Sequence, residues 1–449
     1  MNLNEIKKIY FIGIGGIGMS AVARYINAKG VEVHGYDRTE TSLTKTLVEE
    51  GMTIHYEESL NKIPNGVDVV VYTPAVPETH AELVYFRQQG YEVIKRAEAL
   101  GIISRGMKTI AIAGTHGKTT TTSITTHVLK TGGVDCSAFL GGIAQNFSSN
   151  FVSGKSDWVV VEADEFDRSF LHLDPDVAVI TSMDADHLDI YGDHESMLET
   201  GFRAFAQKIK PGGSLMVQYQ LISYFENFGK VQTYGVEGGM ERAVNIRVEN
   251  GYFVFDFENE KAEIKDIKIT LPGRHNIENA TAAISIALEL GVKPEDIKRA
   301  LASFKGIKRR FDIIHRDGDV VFIDDYDNHP AELAAAIGAA RELFPAKKVT
   351  GIFQPHLFSR THDFAAGFAE ALDALDEVLL LEIYPARELP MAGVTSGIIF
   401  DKMKLENKVR LSMDQLMDEL KTRKTEVLMT LGAGDINTMI DPIKTLLTK

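Results

Sequence analysis

Thr109-Ile110-Ala111-Ile112-Ala113-Gly114-Thr115-His116-Gly117-Lys118-Thr119-Thr120 is the stretch on which the fold turns. The apolar run Ile110 to Ala113 reads as a buried strand. It ends in Gly114 and Gly117, then Lys118, Thr119 and Thr120, then more hydroxyl residues leading into Ile124 and Val128. Strand, glycine loop and helix follow in that order. Glycines let a backbone curl so that its N–H groups point inward at an anion. The helix that follows adds its positive end. In such a loop Lys118 reaches the outer phosphates of a nucleotide, and the Thr119 hydroxyl ligates Mg²⁺. The pattern is shorter than the usual phosphate loop, because Ile112 stands where that loop has its first glycine. A glycine turn followed by an ordinary lysine is the alternative. The apolar strand before the loop and the hydroxyl run after it weigh against that alternative.

Downstream, Trp158 to Val161 is a second buried strand, ending in Glu162-Ala163-Asp164-Glu165. Val177 to Ile180 is a third, followed by Asp184-Ala185-Asp186-His187-Leu188-Asp189. Strands ending in acids and a histidine beside a phosphate loop suit Mg²⁺, which prefers carboxylate and phosphate oxygens and keeps waters. Glu162 and His187 are the metal candidates. A surface acid cluster is the competing reading, above all for Asp164, Glu165 and Asp186. Residues 244–270 alternate apolar and polar, which predicts antiparallel strands added to this central unit. Leu271 to Ala280 then opens a helix through Leu290. Asn276 and Asn279 share one face of its start. An asparagine there can cap the helix or read an adenine edge.

Upstream, the strand Lys8 to Ile12 runs into Gly13-Ile14-Gly15-Gly16-Ile17-Gly18-Met19 and a helical pattern through Tyr25 and Ile26. Val31 to Asp37 is a second strand with an acid at its end. This is the opening of a dinucleotide-type sheet. The glycines announce a diphosphate, and they do not decide between NAD and a UDP-type ligand. Further strands lie at Val67 to Tyr72 and Tyr91 to Ile94. Thr73-Pro74-Ala75-Val76-Pro77 closes the first of these, at the strand end where ligands bind in such sheets. The restart near Arg105 predicts a first unit at 1–105 and a central unit at 106–305.

The last part, 306–449, reads as a third α/β unit. Lys308-Arg309-Arg310-Phe311 is a basic cluster a phosphate could use. Val320 to Ile323 ends in Asp324-Asp325-Tyr326-Asp327-Asn328-His329-Pro330. Lys348 to Phe353 ends in Gln354-Pro355-His356-Leu357-Phe358-Ser359-Arg360-Thr361, with a helix expected from Asp363 to Leu375. Val378 to Leu381 and Glu426 to Thr430 follow, the latter closed by Leu431-Gly432-Ala433-Gly434-Asp435.

With 449 residues the chain is too long for one core. A single cysteine, Cys136, excludes a disulfide framework and a cysteine-based metal site. No apolar run approaches the ~20 residues of a membrane span, and no apolar signal region opens the chain. A cytoplasmic enzyme is the expectation. A net charge of −15 argues against a nucleic-acid partner, so an anionic ligand must be held locally by loops and helix ends.

Taken in order, these loops resemble the Mur ligase family over essentially the whole chain. The resemblance rests on Gly13 to Met19, Gly114 to Thr120, Glu162 to Glu165, Asp184 to Asp189, Gly273 to Asn276 with Asn279, Arg309 to Phe311, Asp324 to Tyr326, Gln354 to His356 with Ser359 to Thr361, and Leu431 to Asp435. It implies an α/β chain of three domains: a Rossmann-like UDP-binding domain, a central P-loop ATPase-type domain and a C-terminal Rossmann-like domain. It implies ATP and Mg²⁺, with UDP-N-acetylmuramate and L-alanine as the partners joined. The ATP phosphates fall to Gly114, Thr115, His116, Gly117, Lys118, Thr119 and Thr120. Thr119 and Glu162 would hold one Mg²⁺ and His187 a second. Asn279 with Asn276 would read adenine, Asp325 the ribose hydroxyls, and Arg310 the γ-phosphate. Gly15, Gly16, Ile17, Gly18, Asp37 and Thr73 would hold the uridine diphosphate. Tyr326 and His356 would seat the amino acid. Apart from the resemblance, Arg360 is the strongest charge on its loop, suited to the amino acid's carboxylate or equally to the phosphate of the intermediate. Two departures stand out. Asp327-Asn328-His329-Pro330 replaces the usual Gly-His-His-Pro, and Leu357 replaces an arginine. Within the family, a ligase that adds a murein tripeptide to the same sugar nucleotide is the nearest competitor. An NAD-dependent dehydrogenase is the competitor outside it.

Overall fold

Three sheets organise the chain, each with helices as crossovers between parallel strands. The computed structural model describes residues 5–185, 188–386 and 388–448. The first sheet runs, edge to edge, Thr53–His55, Glu32–Tyr36, Lys8–Ile12, Val69–Tyr72 and Glu92–Lys95, all parallel. Its order reverses beside Lys8–Ile12, and a crevice opens at such a switch point. The glycine loop leaves Ile12 there and leads into the helix Ile17–Ala28, which buries Met19, Val22 and Ile26.

The second sheet has ten strands. Its core runs Ser214–Gln218, Val177–Ile180, Lys108–Ala113, Trp158–Ala163 and Ser137–Ala144, all parallel. Ser149–Val152 closes one edge antiparallel to Ser137–Ala144. Val231–Val236, Glu241–Glu249, Tyr252–Glu258 and Glu263–Ile269 extend the other. The alternating stretch at 244–270 is thus strand, as its period predicts. Asn250 and Gly251 both take positive φ at the turn between two of these strands, the mark of a tight hairpin.

The helix Lys118–Thr131 is buried from Thr119 to Leu129 despite its hydroxyl residues. Thr122 and Thr126 donate back to the carbonyls of Lys118 and Thr122, at 2.8 and 2.7 Å, so two of these hydroxyls go inside already satisfied.

The third sheet runs Asp312–Arg316, Val321–Asp325, Val427–Leu431, Val349–Phe353, Glu377–Leu380 and Lys408–Arg410. Only its first pair is antiparallel. The helix expected from Asp363 begins earlier and spans Phe358–Leu372, so Ser359, Arg360 and Thr361 lie in its first turn instead of a loop. The residue before it, Leu357, has φ +67°, a conformation that costs a non-glycine residue free energy and that nothing in the sequence announces.

By contact density the chain divides into two compact units. One holds the chain up to Val244 with Asp256–Ile267 and Glu278–Phe304. The other holds Asn245–Phe255, Lys268–Ile277 and everything from Lys305. The first unit shares one large core that joins Val22, Val33 and Val71 to Val161, Phe170 and Phe205. Asn150, fully buried, donates to Ile17 O at 2.6 Å and Ser20 Oγ at 2.8 Å and accepts from Arg24. The helix behind the glycine loop is thereby fastened to the edge hairpin of the second sheet. Cys136 is buried too, and burial pushes its thiol up to about 12. Among the described residues no helix is long and apolar enough to cross a membrane.

Candidate active site

Register brings the phosphate loop and its neighbours to one edge. Ala113, the last residue before the loop, lies opposite Ala163 on one side and Ile180 on the other. Gly114, Asp164 and Thr181 therefore leave the sheet together. Gly114 has φ +141°, and a Cβ there would come within 2.0 Å of Thr181 Oγ1, so only glycine lets the loop pass. The loop is then tied down. His116 N donates to Ser182 Oγ at 2.7 Å, Thr181 Oγ1 donates to His116 O, and Thr115 Oγ1 donates to Asp184 O at 2.9 Å. His116 Nε2 lies 3.5 Å from Asp184 Oδ2. Gly117 caps the helix with φ +80°, and Thr119 and Thr120 are buried in its first turn.

Lys118 folds back over this loop. Its Nζ donates to Gly114 O at 2.6 Å and lies 2.8 Å from Glu165 Oε2. Burial alone would pull its ammonium down, but the carboxylates of Glu165, Asp164 and Glu162 outweigh burial and hold it above the usual lysine range. Glu162 accepts from Gly141 N at 2.9 Å. A carboxylate and a helix-start hydroxyl, Glu162 and Thr119, are the hard oxygen donors that Mg²⁺ takes beside phosphate and water. His187 and Asp186 lie outside the described residues. Asn279 accepts from Thr121 Oγ1 at 3.0 Å, while the Asn276 amide donates to Pro272 O at 2.7 Å. The two asparagines are thus engaged differently.

A cleft of about 310 Å³ runs from Gly16, Ile17, Gly18 and Thr73 to Glu162 and Asp164. Arg96 also lines it, and a Cβ on Gly18 would come within 2.7 Å of that guanidinium. No sequence signal marked Arg96. Asp37 accepts from Gly15 N at 2.7 Å and from Thr39 N at 3.1 Å, so it shapes the glycine loop.

In the other unit, Arg309 and Arg310 stack on Tyr326 at 5.2 and 5.4 Å, and Arg310 lies 3.5 Å from Glu332. Asp325 is buried and accepts from Phe311 N at 3.0 Å and Tyr326 N at 2.7 Å. Burial raises its carboxyl against the pull of Arg310, with Glu332 and Asp324 adding to the rise. Burial and Asp325 raise Asp327 further still. Asp327 is 3% exposed, and its Oδ2 has no hydrogen-bond partner among the described residues. His356 pairs with Tyr384 across a β-bridge, their rings stacked at 5.9 Å. Arg360 sits in the first turn of Phe358–Leu372.

Sequence models of three Mur ligase domains match in chain order: the Mur ligase family catalytic domain at 8–108, the Mur ligase middle domain at 112–287, and the Mur ligase glutamate ligase domain at 309–434. A UDP-N-acetylmuramate–L-alanine ligase of Flavobacterium johnsoniae is 48% identical over 453 residues, covering 100% of both chains. One of Flavobacterium psychrophilum is 49% identical over 449 residues, covering 99% of each. Among solved structures, a UDP-N-acetylmuramate-alanine ligase of Thermotoga maritima superposes with a TM-score of 0.84 at 29% identity, over 98% of this chain and 100% of that one. A murein peptide ligase of Psychrobacter arcticus shares the fold, with a TM-score of 0.70 at 22% identity over 98% of each chain. With all three domain models matched in chain order and relatives about 48% identical over the full length, the chain belongs to the Mur ligase family.

Proposed function

We propose that this chain joins L-alanine to the carboxylate of UDP-N-acetylmuramate in peptidoglycan synthesis, converting ATP to ADP and phosphate, in the cytoplasm. Full-length identity of 48% to relatives of that activity supports the substrate pair. The observation that carries the chemistry is the cleft, whose wall runs from the glycine loop to Glu162 and Asp164, next to the loop that carries Lys118. Units at 1–105, 106–305 and 306–449 would hold the sugar nucleotide, ATP and amino acid respectively.

A carboxylate resists an amine because its charge repels the nucleophile and it offers no leaving group. The γ-phosphoryl group of ATP removes both obstacles. A carboxylate oxygen attacks phosphorus, ADP departs, and an acyl phosphate forms. The alanine nitrogen then attacks the carbonyl carbon, phosphate leaves, and the ammonium proton is lost. Lys118 and the amides of Gly114 to Thr120 stabilise charge on the transferring group. Mg²⁺ held by Thr119 and Glu162, with His187 in the second site, would neutralise phosphate charge. Asn276 and Asn279 read the adenine, Asp325 the ribose, and Arg310 the γ-phosphate. Gly15, Gly16, Ile17, Gly18 and Thr73 hold the uridine diphosphate, with Asp37 fixing the loop. Tyr326, His356 and Arg360 seat the amino acid, Arg360 as a carboxylate partner.

The test is phosphate release from ATP with UDP-N-acetylmuramate and, separately, alanine, glycine, serine and a murein tripeptide. Release that needs both the sugar nucleotide and alanine is expected. Release with the tripeptide alone, or with no sugar nucleotide, would overturn the assignment.

A further inference from the structure

We infer that Glu165 is a positioning residue for Lys118: it holds the lysine on its own loop until a nucleotide phosphate takes its place. The inference rests on the ATP-binding reading above. Glu165 is 1% exposed, and its carboxylate reaches Lys118 Nζ with both oxygens, at 2.8 and 3.0 Å. Among the described residues, the remaining contacts of Nζ are to carbonyls of the loop, Gly114 O at 2.6 Å and Thr115 O at 3.3 Å. A phosphate that claims Nζ meets a carboxylate already there. Two like charges about 3 Å apart in a buried place repel strongly. One must leave, so nucleotide binding includes the cost of breaking this pair.

The segment carrying Glu165 also reaches the cleft. The Glu165 carbonyl accepts from Tyr191 OH at 2.7 Å and Arg168 N at 3.0 Å. Next come Asp167 and Arg168, both at positive φ, +52° and +55°, a tight and costly elbow for two non-glycine residues. Lys95 of the first sheet holds Asp167 at 2.8 Å. Asp164, Phe166, Asp167 and Ser169 all line the cleft. Displacing Glu165 therefore acts on the wall that a sugar nucleotide touches. Binding energies are reciprocal, so a ligand in the cleft changes nucleotide affinity by the same factor that nucleotide changes its own.

The experiment is calorimetric titration of the full chain with ADP and Mg²⁺, and with UDP, each alone and in the presence of the other. Glu165→Gln keeps the size and removes the charge. It should bind ADP about tenfold more tightly than wild type, because the competent lysine no longer has to be released. In a Lys118→Ala background the same change should have no effect on ADP, since the two residues act as a pair. The factor linking UDP and ADP should shrink toward one in Glu165→Gln. Unchanged or weaker ADP binding in a folded Glu165→Gln chain would overturn the inference. If that variant does not fold, Glu165→Asp shortens the reach to Lys118 and should tighten ADP binding by a smaller factor; no tightening overturns the inference too. Wild-type protein that does not bind ADP at all would remove the ATP reading itself, and the wild-type titration alone tells the two failures apart.

Discussion

Asp327 stands buried against Asp325 where the family pattern has a glycine. Two buried carboxyls so close do not both ionise, and the pair keeps a proton. The ordinary carboxyl of an unfolded aspartate loses its proton near ~3.9. In the folded chain Asp325 is raised to about 6 and Asp327 is raised as well. The folded state thus holds a proton that the unfolded chain has released. Its contribution to stability is full below ~pH 4 and is lost as pH rises through the folded value. Urea unfolding should show wild-type protein losing roughly 1–3 kcal/mol from this source between pH 5 and pH 8. Asp327→Asn should flatten that slope and be the more stable of the two at pH 8; an unchanged slope would remove the pair. Nothing in the sequence foretold this, because the partners' burial depends on the strand Val321–Asp325 turning in beside Phe311. The pairing of Lys118 with Glu165 was hidden for a similar reason. The residues lie 47 apart and meet only through strand register.

Elements were legible in proportion to their apolar runs. Lys8–Ile12, Lys108–Ala113, Trp158–Ala163 and Val177–Ile180 fall where four or more apolar residues in a row demand burial. The short edge strands Thr53–His55, Ser149–Val152 and Lys408–Arg410 are too brief to show a period, and pairing with a neighbour makes them strands. Ser149–Val152 carries the residue that matters most at this scale. Asn150 satisfies a helix carbonyl, a serine and an arginine from the helix Ile17–Ala28. Asn150→Ala would leave the Arg24 guanidinium and Ser20 short of a partner inside the protein, at a cost of about 1–3 kcal/mol. The helix it releases carries the glycine loop. The expected outcome is a lower urea midpoint and a raised KM for UDP-N-acetylmuramate with kcat less affected. An unchanged KM would mean that the hairpin braces the fold and not the loop.

At the scale of the molecule, two compact units share one chain. The phosphate loop and the glycine-loop cleft belong to the first, and the Arg310–Asp325 cluster to the second. Scanning calorimetry should resolve two transitions. UDP should raise the first unit's transition and leave the other where it is. At a hundred times its dissociation constant a ligand adds about 2.7 kcal/mol to the state that binds it. Equal movement of both transitions would show that the units unfold as one. The lone thiol decides how the two units can be labelled. Cys136 is sealed in the core with its thiol pushed up to about 12, so it is a poor nucleophile at neutral pH. The wild-type surface is therefore dark to maleimide dyes and spin labels. Met240, 58% exposed on the first unit, and Leu389, 85% exposed on the second, could each be replaced by cysteine with no background to remove. Each unit could thus carry one dye of its own, placed on a surface that is otherwise silent.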